Sequence, residues 1–407
     1  MKTWSILTIF VSFFWGATAA KAQESDGLKE EVAQLTPPSR TDQPLLSDFQ
    51  SQQNQRPFHK PPHLPDDILV KPLEELALKP TDFSPMVADI SKENLRFKKE
   101  LLAGKKPNQL RQKGAVDSFL FYQKGALRLE QYFAYSAIDR PHFQMSITKS
   151  MTALAVGLAL EEGIFHSVED PVLKYFPFDQ GELPEAAFQI KMKDALTMQS
   201  GIRLPKNFKP ATVKEDLELW RQIFKEAEYH PAGTTYKYQG IDPSLFSSAL
   251  YLQTGKTMEE YLHEKLLMPM GIKAAFSTTP QGMTKAPAGM DLTSRDMLKL
   301  GILVLEQGKF AEHQFLSSSW IKEMTDAYAQ NGKNEYGYFW WRHVERYNEK
   351  EIAVISARGA GGQFIFILPE FEAICIFTSY GTRKPFQYLS QEIIPILAGG
   401  KNSRNLH

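Results

Sequence analysis

The chain has 407 residues with 47 basic and 47 acidic side chains, so no basic surplus points to nucleic acid and no acidic block to a solvating tail. At 43% hydrophobic, 12% aromatic and 23% charged, its composition is globular and long enough for one large domain or two ordinary ones. A lone cysteine, Cys375, excludes an internal disulfide and a cysteine-based zinc cluster.

The first residues read "MKTWSILTIFVSFFWGATAAKAQES". A short positive start, an apolar run from Trp4 to Trp15 and the small residues around Ala20 and Ala22 make the pattern of a secretory signal over residues 1–22. The apolar run is short for a membrane span, and no later segment reads as one. The expected location is therefore exported, periplasmic or secreted. Residues 23–110 follow as a polar, proline-rich extension or linker, with a short helix expected over 87–105. The main domain is expected over 111–400.

Ordered structure begins with "AVDSFLFYQKGALRLEQYF". The apolar runs on either side of Lys124-Gly125 predict a β-hairpin. Near the other end, "YGYFWWRHV", "EIAVISA", "QFIFILPE" and "EAICIFTSY" predict further strands, with Cys375 as a buried small residue in the last. Residues 146–320 between them read as mainly helix and loop. Strands at both ends with helices between predict an α+β fold in two lobes, not a βαβ array.

The helical segment opens "SITKSMTALAVGLALEEG". Met151, Leu154, Ala155, Leu158 and Ala159 recur at helical spacing, and Gly163 is a natural stop. One turn carries Lys149 onto the same side as Ser146. A serine hydroxyl needs a nearby base to become a nucleophile, and a lysine serves when burial lowers its pKa. The same spacing is also met in an ordinary serine N-cap followed by a solvated lysine.

These residues resemble the nucleophile motif of the serine β-lactamase and penicillin-binding superfamily. The resemblance is to the branch holding class C β-lactamases, family VIII esterases and 6-aminohexanoate-dimer hydrolases. "VEDPVLKYFP", "IKMKDALTMQSGI", "PAGTTYKYQG" and "APAGMDLTSRDMLKLGILVLEQGKF" match further segments in order, over about residues 115–395. The resemblance implies a β-lactamase-like fold, an antiparallel sheet flanked by helices plus a mainly helical lobe. It implies hydrolysis of a small amide, ester or peptide through an acyl-enzyme on Ser146, with Lys149 and Tyr238 as catalytic partners and no metal or other cofactor.

Spacing after Gly233-Thr234 favours Tyr238 over Tyr236 for the second motif. Relatives carry Tyr-x-Asn there, whereas this chain reads Tyr238-Gln239-Gly240 and lacks the third-position amide. The third motif falls near Ala357-Arg358-Gly359, where the usual first basic residue is missing and Arg358 is the replacement candidate. The implied oxyanion hole uses the N–H of Ser146 and one near Ala360. Arg358, Gly359, Gly361 and Gln363 are the implied substrate contacts, with a sharp turn or strand cap as the alternative for Gly361 and Gln363. His142 is expected to be structural, His230 to line the cleft and His343 to be exposed. Trp340-Trp341 is expected in either an acyl pocket or the sheet core. A weakly catalytic protein of the same fold that binds peptides or peptidoglycan stems is the alternative reading.

Overall fold

The computed structural model describes residues 61–105, 114–133, 136–208 and 213–399. The expected signal segment, residues 1–22, lies outside these. The hairpin forms as strands β1 (Ala115–Gln123) and β2 (Ala126–Tyr132). Six strands from the C-terminal part follow: β3 (Ala329–Asn331), β4 (Asn334–Tyr336), β5 (Trp341–Tyr347), β6 (Lys350–Gly359), β7 (Gln363–Leu368) and β8 (Ala373–Tyr380). They make one eight-stranded sheet in the order β3-β4-β5-β6-β7-β8-β1-β2. Its neighbouring strands run antiparallel, and β1 closes against β8 with Phe119 opposite Phe377. The two ends of the domain therefore share one sheet.

Alternation along the strands builds two cores. Phe119, Phe121, Phe366, Cys375 and Phe377 point to one face, and Leu120, Tyr122, Ile365, Ile374 and Ile376 to the other. Both faces are covered, which is why every residue of β1 is buried. The second face packs on the helical lobe, whose helices include α2 (Ile147–Glu161), α3 (Asp216–Glu226), α4 (Ile241–Thr254) and α5 (Ser294–Leu305). Gly301 lets α5 lie close on the sheet, because a Cβ there would meet Ile374 at 3.0 Å. Among the described residues no helix is long and apolar enough to cross a membrane.

The first face is covered by helix α1 (Ser84–Leu102) and the helical residues 384–397. Residues 61–105 are thus packed on the fold, in contrast to the linker reading of that stretch. The helix expected over 87–105 starts earlier, at Ser84, and buries Met86, Val87, Ile90, Asn94 and Phe97 as one stripe. Asp89 of α1 receives Lys384 at 2.7 Å and the Tyr388 hydroxyl at 2.9 Å. Ahead of α1, Val70 bridges to Leu127 and covers the outer edge of β2. Arg295 of α5 fastens this arm. Its guanidinium donates to Glu130 at 2.9 and 2.6 Å, to Asp66 at 2.8 Å and to the Pro62 carbonyl at 2.7 Å.

Candidate active site

Helix α2 is buried on all sides over residues Ile147–Ala159, with its polar residues Thr148, Lys149, Ser150 and Thr152 in the first two turns. Its start is held under strain. Met145 has φ 52°, a left-handed conformation that costs a residue with a side chain about 1–3 kcal/mol. The surroundings over-determine it. Thr148, fully buried, donates its hydroxyl to the Met145 carbonyl at 2.7 Å and accepts the N–H groups of Gly289 and Met290 at 3.1 and 3.2 Å. The buried Gln144 side chain donates to the carbonyls of His142 and Leu292. The turn into α2 is thereby sewn to the segment around residue 289.

Ser146 stands at the N-cap position of α2, partly exposed, with its side chain free of the usual capping bond. Lys149 Nζ is hydrogen-bonded to Ser146 Oγ at 3.0 Å. The same amine donates to the Pro287 carbonyl at 2.6 Å and sits 4.8 Å from the centre of the Tyr238 ring. Lys149 is 1% exposed, and burial pulls its pKa down to about 7. Burial pushes the Tyr238 phenol up to about 12, with its hydrogen bond to Ser146 and the Arg358 charge acting in the opposite direction. Near neutral pH the lysine is therefore about half uncharged, while the tyrosine holds its proton.

Tyr238, not Tyr236, meets Lys149. Tyr236 instead packs on Tyr336 and Trp341, at 5.3 and 6.4 Å between ring centres. Trp341 lies 5.6 Å from Tyr238, while Trp340 is buried in the core, the second of its two expected places. Gly240 replaces the amide of the Tyr-x-Asn pattern. A Cβ there would stand 3.3 Å from Pro287, whose carbonyl holds Lys149. Neither Pro287 nor Asp242, described below, was singled out from the sequence. A backbone carbonyl leaves no residue-type signal, and an acid in a first helical turn reads as an ordinary helix start.

The β6–β7 turn approaches the turn that carries Ser146 through Gly359. A Cβ on it would lie 2.3 Å from the Gln144 carbonyl, so only glycine fits there. Ala360 follows, exposed, and Gly361 and Gly362 make the turn with φ 91° and 108°. Arg358 is tied to protein partners. Its guanidinium donates to Ser356 Oγ at 2.8 Å, Asn334 Oδ1 at 2.9 Å and His343 Nδ1 at 2.9 Å. It lies between the rings of Trp341 and Phe386, at 4.9 and 5.0 Å from their centres. Burial lowers its pKa to about 10, which leaves it charged at neutral pH.

Gln363 does not face the cleft with a free amide. It is 2% exposed, donates to the Ser379 carbonyl at 2.6 Å and accepts the Ser379 N–H at 3.1 Å. It fastens β7 to β8, the strand-capping alternative. His343 is buried against Arg358, not exposed as expected, because it caps that guanidinium. His142 pairs with the buried Asp117 at 2.8 Å. His230 is exposed, with its backbone joined to Gly201. No group of three or more metal-binding side chains occurs among the described residues.

A family model for Beta-lactamase matches residues 108–390. The 6-aminohexanoate-dimer hydrolase of Paenarthrobacter ureafaciens is 21% identical over 292 residues, covering 64% of this chain and 71% of that protein. Among solved structures, a penicillin-binding protein homologue from Pyrococcus abyssi superposes with a TM-score of 0.58 at 20% identity, covering 75% of this chain and 78% of the other. A class C β-lactamase mutant superposes with a TM-score of 0.56 at 14% identity, covering 76% of this chain and 97% of the other. By the family match and the shared fold, the chain belongs to the Beta-lactamase family, in the serine β-lactamase and penicillin-binding superfamily.

Proposed function

We propose that the protein is an exported serine hydrolase that cleaves small amides or esters through an acyl-enzyme on Ser146. The observation that carries this reading is the buried Lys149 amine 3.0 Å from Ser146 Oγ, with a pKa brought to about 7. Two neighbours of Ser146 compete for the role of base. At pH 7 a phenol with a pKa of about 12 is ionised in about one molecule in 10⁵, whereas an amine with a pKa of about 7 is uncharged in about half. Lys149 is the base. Tyr238, keeping its proton, is the acid that serves the leaving group.

In the first step Lys149 Nζ takes the Ser146 proton as Oγ adds to the carbonyl carbon. The negative charge on the carbonyl oxygen is met by the Ser146 N–H, at the positive end of α2, and by an N–H near Ala360. Collapse expels the amine or alcohol with a proton relayed through Tyr238. Lys149, having passed its proton on to Tyr238, then takes one from the attacking water and returns it to Ser146 Oγ as the acyl–Oγ bond breaks and the acid leaves.

Two features favour linear amides or esters over β-lactams. Gly240 supplies no side-chain amide to hold an acylamino group. A relative is named as a 6-aminohexanoate-dimer hydrolase. Gly359 and Gly361 offer backbone, and Arg358 offers charge, along the substrate side.

The test is a rapid-mixing assay with p-nitrophenyl acetate on the mature protein and on Ser146→Ala. A near-stoichiometric burst followed by turnover, lost in the variant, is expected. The absence of any Ser146-dependent release refutes the hydrolase reading for activated esters. A burst without turnover favours a covalent peptide-binding role instead. Export is checked separately by sequencing the N-terminus of protein recovered outside the cytoplasm, where cleavage after Ala22 is expected.

A further inference from the structure

Tyr238 lies in a stretch without helix or strand. Residues 235–239 have no ladder hydrogen bonds to fix them. Their position depends on individual ties on each side of Tyr238; besides the two described next, the Gln239 amide also donates to Ser200 Oγ at 3.3 Å. On one side the Lys237 N–H donates to the Met198 carbonyl at 2.8 Å. On the other, the Gln239 side chain donates to Asp242 Oδ1 at 2.9 Å. Asp242 Oδ1 also accepts the Ser200 hydroxyl at 2.6 Å. Both ties end on the same short turn, residues 198–201.

Asp242 is fully buried in the first turn of α4. Its second oxygen, Oδ2, is buried with no hydrogen-bond partner. A carboxyl that left half its acceptor capacity unused would be a poor choice for stability alone, because burying an unpaired polar oxygen is costly. The charged groups acting on it are Arg203 and Lys237, each near enough to favour its ionised form, while burial opposes ionisation. The helix start itself needs no acid at this depth.

We propose that Asp242 is a positioning residue that sets the Tyr238 phenol over Ser146 and Lys149, acting through Gln239 and the Ser200 turn. It touches none of the reacting atoms. It fixes the backbone on one side of Tyr238, as Met198 does on the other. Gly240, which follows Gln239, lies close to Pro287, whose carbonyl holds the Lys149 amine. This inference rests on the hydrolase reading above.

The experiment is a double-mutant cycle on the burst rate constant with phenyl acetate, whose phenol leaving group takes up a proton at neutral pH as nitrophenolate does not, using Asp242→Ala, Tyr238→Phe and the pair. Asp242→Ala is expected to slow the burst by about tenfold or more in the wild-type background, with KM little changed. In the Tyr238→Phe background the same change should have less than about a twofold effect, because its target is gone. Asp242→Asn keeps the Oδ1 acceptor and should recover most of the rate. An equal loss in both backgrounds, or no loss in either, overturns the proposal while a Ser146-dependent burst leaves the hydrolase reading standing. No Ser146-dependent burst in the wild type overturns both. Should Asp242→Ala fail to fold, Gln239→Met and Ser200→Ala break the same link from its far ends, and the cycle with Tyr238→Phe is read in the same way.

Discussion

Replacing Lys149 with methionine tests whether the buried amine is uncharged near neutral pH. The amine has a pKa of about 7 in the folded chain and 10.5 as its ordinary value. Between those values the unfolded chain binds more protons than the folded one, so the folded state gains stability as pH rises. Below pH 7 both states hold the proton, and the full penalty of about 5 kcal/mol applies. Above 10.5 it vanishes. From pH 7 to pH 9 the lysine should therefore add about 2 kcal/mol to the stability of the wild type. The methionine variant lacks this gain. It also leaves the Pro287 carbonyl without its donor, at about 1–3 kcal/mol, so the difference at any single pH is a mixture. The pH slope is free of that mixture, and other titrating groups cancel between the two proteins. Urea denaturation of both at pH 7 and pH 9 measures it. A wild-type advantage that grows by about 2 kcal/mol is expected. A difference that does not change with pH would mean the amine stays charged, and Lys149 could not then be the base.

Three further outcomes follow from the geometry. Tyr238→Phe should lower the acylation rate by about 10²–10⁴, the usual reach of a positioned acid or base, whereas Tyr236→Phe should change it little; single-turnover kinetics compare them. Gly359→Ala forces a Cβ to 2.3 Å from the Gln144 carbonyl, so the end of β6 must retreat from the nucleophile turn; kcat/KM should fall by about 10² with the Ser146–Lys149 pair still present, and equal activity would show that this approach is not needed. Arg295→Met strands the buried Glu130 carboxylate and should cost about 3–5 kcal/mol, with residues 61–72 becoming accessible to protease, as thermal melting and limited proteolysis would show.

The meeting of Ser146 and Lys149 was legible because their relation is local. Three residues along a helix puts Ser146 and Lys149 together whatever the rest of the fold does. The long apolar run after them announced a buried helix, and burial is what lowers the lysine pKa. The hairpin at Lys124-Gly125 and the terminal strands were legible for the same reason, since the apolar run that marks each lies within its own segment. The arm before the domain was harder to read. Prolines and charges there mask contacts such as Val70 on the edge of β2. The stripe of α1 is interrupted by Asn94, a polar residue buried because its amide donates to the Val116 carbonyl at 2.8 Å.

The parts that the sequence left open are those set by strand pairing. Gln363 stands two residues after a glycine and beside the third motif, where a polar side chain invites a role in binding. Yet β7 lies beside β8, and that pairing brings the Ser379 backbone to both ends of its amide. Arg358 has a similar history. Its charge replaces a missing basic residue in type, but Ser356, Asn334 and His343 already occupy its donors, and two rings hold its plane. A guanidinium so fixed acts on the cleft through its field, which draws the Tyr238 pKa back down, more readily than by turning to grasp a substrate carboxylate. Turning would forfeit its hydrogen bonds and ring contacts, with the buried Ser356 and His343 left facing it.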